Sequence, residues 1–586
     1  MNERNKLREK WQGLIDTVMR FPLTVILLVA AVVSNTLAIE SNDNYIYIKL
    51  LIAFLLGALL YAVLQMLYER FFEHPIVRLI NILVTTLFSA LYFLIIRKSE
   101  WRIEVSVRTT VIFFVLFIAF LWLPAIRSRI SINESFMAVF KGFFMALFFD
   151  MVLYLGVVLV IGAADLLILR VDSDAYLHSA NFIFVLLAPV YFLSMLPHYS
   201  RKEAADTEEE ESSKLTAPNR FLATLITYVI IPVTAVFTVI LLLYIVLNIT
   251  GEFWADNLME PMLVVYSITV IVVYLLASTI SHALAKYFRL VFPKVLILVV
   301  LFQTLSSVLK IGDEGMTYGR YYAILFGVFA IIAGCLFCFL PVHKNGKIAP
   351  VLIVLSILSV LPPVDAFTVS KVTQTARLES LLVENNMLKD GLVIPNSGVG
   401  ENDRADIVKT LDYLDSMDYT KNIGFLKDYS VSFDFEKTFG FSRYGNWDKE
   451  YQSFYYSRNT EEMIPVNGYD YMLQLSFYQK QEENIREFEL RGIRYTVRVE
   501  DSASDNPLIL LEEGQGTELL RFEFNHLMER LSGGQSGKEQ LSTEELTDII
   551  ENDKAVMAVV ANSVSVNEWS EGKDTSAELI ILIHIK

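Results

Sequence analysis

Apolar residues gather in long blocks along the first two thirds of the chain and give way to short alternating runs in the last third. A bilayer core about 30 Å thick is crossed by roughly 20 apolar residues in one helix. Windows of that kind run from Phe21 to Ile39, Leu50 to Tyr68, Leu79 to Ile96, Thr109 to Ile126, Gly142 to Leu169 and Ala180 to Leu196. Five more follow: Phe221 to Thr250, Met262 to Ser281, Val291 to Leu309, Tyr321 to Val342, and Ile348 to Phe367. The pattern predicts a membrane all-α helical bundle of about 11 transmembrane helices over residues 1–367, followed by a soluble α+β domain over 368–586. The first window exceeds a signal-peptide core and lacks a small-residue cleavage site before Glu40, so it is expected to be retained.

Lys and Arg set the orientation, because cytoplasmic loops carry them in excess. With the N-terminus inside, 19 of these residues in the membrane half face the cytoplasm and 8 lie outside. The segment 97–108 disagrees, carrying four positive residues on the predicted outer side. An odd number of crossings sends the tail to the extracytoplasmic side. Residues 197–220, with the acidic run "TEEEES", read as a flexible cytoplasmic linker between six spans and five.

In the tail, "TQTARLESLLVENNML" and "DRADIVKTLDYLDSM" have helical spacing, the second with Asp403 as its expected N-cap. "YSVSFDF", "YDYMLQLSFY", "IRYTVRVED", "AVMAVVANSVSV" and "AELIILIHI" read as strands. "FNHLMERL" and "STEELTDIIEN" read as helices between the later strands, the second capped by Ser542 or Thr543.

Charge and composition narrow the chemistry. Beyond Phe367 there are 39 Asp and Glu against 22 Lys and Arg, so nucleic acid is not expected as a partner. The two cysteines, Cys335 and Cys338, lie in an apolar run and read as small residues on a helix face, and the tail can form no disulfide. "LSGGQSGKEQ", Leu531 to Gln540, begins with the letters of a nucleotide-reading loop. A phosphate loop, however, would need Gly where Ser532 stands and Ser or Thr where Glu539 stands, so the stretch reads as a turn and no nucleotide is expected. The seven histidines fall at no metal-ligand spacing, no catalytic motif is found, and neither cofactor nor metal is expected.

Charges inside a membrane are costly and often mark a pathway. The fifth window holds Asp150 and Asp165, the two candidates for a proton or ion relay. Helical geometry puts them about 60° apart around the axis and about 22 Å apart along it, too far to share a proton directly. Bonding to a neighbouring helix or to interfacial water is the plainer account of both. The aromatic stretch Tyr444 to Asn459 could stack on a glycan or peptide, or fill a sheet core.

"ADLLIL", "YFLSMLP" and "DAFTVSKVTQTARLESLLVENNMLKDG", with "VNGYDYMLQLSFY" in the tail, resemble the bacterial multi-pass membrane family known as domain of unknown function 4153. The resemblance implies a bacterial inner-membrane protein with an accessory domain and brings no activity with it. The expectation is a non-enzymatic envelope protein that presents an extracytoplasmic binding or sensing domain to an envelope protein or glycan, with the lipid bilayer around its helices. The alternative is a proton-coupled transporter of a small solute or lipid, with Pro232 as a kink in an overlong seventh span.

Overall fold

The structure, a computed structural model, describes residues 3–41, 45–72, 74–128, 130–168, 170–197, 218–248, 259–426, 435–443, 451–459, 462–477, 485–500, 507–514, 516–533, 540–569 and 572–586. Most of the linker at 197–220, residues 534–539 of the stretch Leu531 to Gln540, and residues 444–450 of the aromatic stretch lie outside the described residues. The chain divides into two compact units, Met1–Thr373 and Gln374–Lys586. The boundary expected at Phe367 falls inside a helix, Ala366–Glu384.

The first unit is helical. Helix α1 (Glu3–Arg20) precedes the apolar windows; its exposed Ile15, Val18 and Met19 suit the membrane interface, a face hidden behind the charge of "NERNKLREK". Among the described residues nine helices are long and apolar enough to cross a membrane. They are α2 (Pro22–Glu40), α3 (Tyr45–Phe71), α4 (Pro75–Lys98), α5 (Ile103–Ala125), α6 (Ile132–Leu167), α7 (Asp174–Ser194), α8 (Arg220–Leu247), α10 (Ala283–Gly312) and α11 (Tyr318–Phe339). Between α8 and α10 lies the shorter apolar helix α9 (Pro261–Ala277). After α11 comes α12 (Ile348–Leu358), of 11 residues, about 16 Å long.

Polar contacts sort the helix ends into two faces. At the first face Arg20 pairs with Glu69 at 2.8 Å and donates to the carbonyls of Leu196 and Pro197, joining the ends of α1, α3 and α7. Arg70 reaches the Ile126 carbonyl past α5, and Ser135 of α6 donates to the Leu121 carbonyl. Asn133 donates to the Val342 carbonyl at 3.0 Å and accepts from Asn345 at 3.1 Å, which puts the start of α12 at this same face. At the second face Lys49 donates to the carbonyls of Arg97 and Ser99, and Arg108 of α5 pairs with Asp365 at 3.1 Å. The Tyr321 hydroxyl of α11 donates to the Val364 carbonyl there at 2.6 Å.

Residues 348–365 therefore run from one face to the other, although only the first 11 are helical. Arg20, where the first apolar helix begins, and Asp365, where the last apolar segment ends, lie at opposite faces. The positive residues of segment 97–108 are partly neutralised in place: Arg102 pairs with Glu100, and Arg108 with both Glu104 and Asp365.

Among the described residues two helices widen to π geometry, at Asn181–Leu187 within α7 and Ile226–Ile230 within α8, and in each a proline, Pro189 or Pro232, stands just beyond. A proline lacks the N–H and crowds the carbonyl four residues back. The wider turn relieves that conflict while the helix continues. Elsewhere close approach depends on glycine: a Cβ on Gly334 of α11 would sit 2.7 Å from Ile297 Cγ1 and 3.2 Å from the Pro293 carbonyl of α10.

The second unit contains α13 (Ala366–Glu384, its first part in the first unit), the hairpin β1 (Leu388–Lys389) and β2 (Leu392–Val393), α14 (Glu401–Ser416) and α15 (Phe435–Phe439). Gly400, not Asp403, occupies the N-cap of α14, and Asp403 sits in the first turn, where a carboxylate favours the helix dipole. Most of "YSVSFDF" lies outside the described residues, and its Phe435 begins α15.

Two sheets follow. The larger has the order β4-β12-β11-β3-β9, with β10 also paired to β11; these are β3 (Tyr451–Arg458), β4 (Tyr471–Phe477), β9 (Gln540–Leu541), β10 (Thr547–Glu551), β11 (Ala555–Trp569) and β12 (Gly572–Ile585). The smaller is β5 (Ile485–Leu490), β6 (Ile493–Glu500), β7 (Leu508–Glu513) and β8 (Thr517–Glu523) in sequential antiparallel order. Val497, Ile509 and Leu511 of the small sheet share one core with Val559, Ile581 and Ile583 of the large one and with Leu527 of α16 (Phe524–Gly533).

A bulge between Ala561 and Ser563 switches the inward side of β11 from odd to even residues. Met557, Val559 and Ala561 before it, and Val564 and Val566 after it, all reach the same core. "STEELTDIIEN" departs from expectation. Ser542 and Glu545 form the reciprocal bonds of a helix start, but Thr547 onward extends as β10 and pairs with β11. Pairing with a 15-residue strand outweighs the local helix signal.

Candidate functional site

Asp150 and Asp165 stand on the same helix in different settings. Asp150 is buried at 4% exposure, and its Oδ2 has no hydrogen-bond partner. It faces α7, where Tyr191 lies within its electrostatic reach and packs edge-on against Phe149 at 5.6 Å. Asp165 is exposed near the end of α6 and accepts the Val171 backbone N–H at 2.8 Å, closing the turn after the helix. Between them α6 carries no acidic, basic or histidine side chain, only Tyr154 with a hydroxyl, and the structure does not bring the two together.

A second polar feature, invisible to local pattern, sits at the second face. Asp365 is fully buried, and its Oδ1 accepts from Arg108 at 3.1 Å and from the backbone N–H groups of Phe367 and Thr368 at 3.1 and 3.2 Å. Those two N–H bonds start α13. Arg108 Nη2 also contacts Glu104 at 2.8 Å, and the guanidinium lies over the Phe367 ring at 5.8 Å. The only sequence trace of this site is an Asp after two prolines and before an apolar helix start, in "PPVDAFT". Its partner is 257 residues earlier.

Beside this cluster opens a cavity of about 390 Å³ between α5, α9, α11 and α12, with Ile132 and Phe136 of α6 closing part of its wall. Its lining is apolar except for Tyr322, Ser356 and Ser359. The Tyr322 hydroxyl donates to the Ser359 carbonyl at 3.4 Å, and Ser359 Oγ to the Ser356 carbonyl at 2.7 Å. Val111, one helical turn from Arg108, lines the same cavity.

Other polar contacts tie helices together. Asn181, at the start of the π segment, donates to the Val32 carbonyl and Thr36 hydroxyl and accepts from Asn35 at 2.9 Å. Cys335 and Cys338 are free thiols on α11. Among the described residues no group of three His, Cys, Asp or Glu is placed to hold a metal.

In the second unit His584 Nδ1 and Asp470 Oδ2 are 2.9 Å apart at the end of β12, and Asp470 also accepts the Ile585 backbone N–H at 3.0 Å. That backbone bond first, and the histidine second, hold the Asp470 carboxyl below the usual carboxylate range.

No curated protein and no solved structure matches the chain. A family model does, over residues 27–392, more than half of the chain, from within α2 to the second strand of the β1–β2 hairpin. The chain is an integral, multi-pass membrane protein that belongs to the family described as Domain of unknown function (DUF4153).

Proposed function

We propose that the helical bundle anchors the C-terminal α+β domain outside the cytoplasm of a bacterium, where that domain binds an envelope protein or glycan, or senses the cell surface, and catalyses no reaction. The observation that carries this reading is the placement of Arg20 and Asp365 at opposite faces of the bundle. With the Lys- and Arg-rich first face in the cytoplasm, the chain leaves the last crossing on the outer side. C-terminal fusions test it. Alkaline phosphatase joined after Lys586 should be active and green fluorescent protein dark; the reverse pattern overturns the reading.

One observation favours a second reading, a proton-coupled transporter: Asp150 is a buried carboxylate without a partner for Oδ2, an arrangement that persists in membrane helices mainly where charge is used. Uptake that depends on pH should disappear in Asp150→Asn. Flux that is unchanged in Asp150→Asn and in Asp165→Asn would end it.

A further inference from the structure

We propose that the cavity beside Arg108 holds one acyl chain of a phosphoethanolamine lipid, with the lipid phosphate at Arg108 and its ammonium at Glu104. The site opens sideways. Phe114 and Phe117 of one wall and Ile268 of the other line the cavity and are exposed at 41%, 41% and 46%. Phe114 and Phe117 sit within the membrane-length helix α5 and Ile268 within the shorter apolar helix α9, so the medium at the mouth is hydrocarbon. A chain entering there exchanges one apolar surrounding for another and fills space that would otherwise lack contacts. A volume of about 390 Å³ falls in the range of small-molecule sites.

The polar end selects the head. Tyr322 and Ser359 are the hydroxyl-bearing residues of the lining there, and Val111 leads one turn along α5 to Arg108. Arg108 and Glu104 are each about one-third exposed, 2.8 Å apart on successive turns, whereas Asp365 behind them is fully buried. Asp365 thus fixes the guanidinium from within while the outward edge of the Arg–Glu pair remains accessible. One guanidinium against two carboxylates leaves the cluster net negative, so an anionic head brings repulsion that a zwitterion with a terminal ammonium avoids. A phosphate beside an ammonium matches an arginine beside a glutamate.

The test uses the full chain in lipid nanodiscs and a phosphatidylethanolamine probe with a diazirine near the end of one acyl chain, with adducts mapped by mass spectrometry. Labelling of Phe117, Ile268 and Leu352 should exceed by several-fold that of Leu83 and Leu87, lipid-facing residues of α4. Ser356→Phe should remove the excess by filling the cavity. Ala349→Leu, a milder filling, should reduce it if the first variant fails to fold. Glu104→Gln should remove the preference over a phosphatidylglycerol probe. Uniform labelling, or an excess that persists in a folded filling variant, would overturn the site. Equal labelling by the phosphatidylglycerol probe in the unmodified chain would overturn the headgroup assignment.

Discussion

Arg108 and Asp365 form an ion pair at 3.1 Å across 257 residues of chain, joining the start of α5 to the segment that ends the last membrane passage. Asp365 is fully buried, so its charge depends on that guanidinium and on two backbone N–H groups. Arg108→Gln should destabilise the bundle by about 3 kcal/mol, since removing one partner strands the other. Adding Asp365→Asn should restore part of the loss. Thermal unfolding of the single and double variants in detergent checks this; equal losses in both would show that the pairing is not what matters.

Asp150 offers the opposite case. Its Oδ2 is buried without a hydrogen bond, so the carboxyl contributes cost rather than cohesion. Asp150→Leu should raise stability by about 1–3 kcal/mol, the desolvation cost of an unmatched polar group. A lower melting temperature would mean that the carboxyl has a stabilising role in the bundle.

Gly440 follows α15 with φ +80°, and a Cβ there would lie 2.6 Å from the Asn396 backbone nitrogen. Neither the dihedral nor the contact tolerates a side chain. Gly440→Ala should cost on the order of 2 kcal/mol or more in the second unit. Faster hydrogen exchange across α15 and the Asn396 turn, with unchanged exchange in β11, is the expected signature.

Asp470 gives the second unit an acid-sensitive contact. Its pKa is lowered on folding, chiefly by the Ile585 N–H, so its contribution is present above the unfolded value near about 4 and fades as pH falls through the lower folded value. The side chain is one-third exposed, which limits the effect to about 1 kcal/mol. Asp470→Asn should lower stability at pH 6 and make little difference at pH 3. An equal loss at both values would point to the geometry of the β12 terminus instead of the charge.

The sequence speaks plainly where structure is local. All eleven apolar windows contain helix, because a span of about 20 oily residues must satisfy its own backbone. β4, β6, β11 and β12 fall where alternation places them. Long-range pairing is what local pattern cannot carry. The Arg108–Asp365 contact depends on which helices become neighbours, and β10 exists because β11 is there to receive it. The bulge that switches the inward side of β11 leaves no mark in "AVMAVVANSVSV", and the two π segments show only as prolines two residues after them.

The last passage also bears on how the protein is made. Beyond Leu358 the path to Asp365 has no helical ladder of its own; the carbonyls of Ser359 and Val364 are met by tyrosines of α11, and the carboxyl of Asp365 by Arg108. Released alone into hydrocarbon during synthesis, this stretch would expose backbone groups with nothing to meet them. Its insertion thus waits on α5 and α11 already standing in place, making it the closing piece of the bundle.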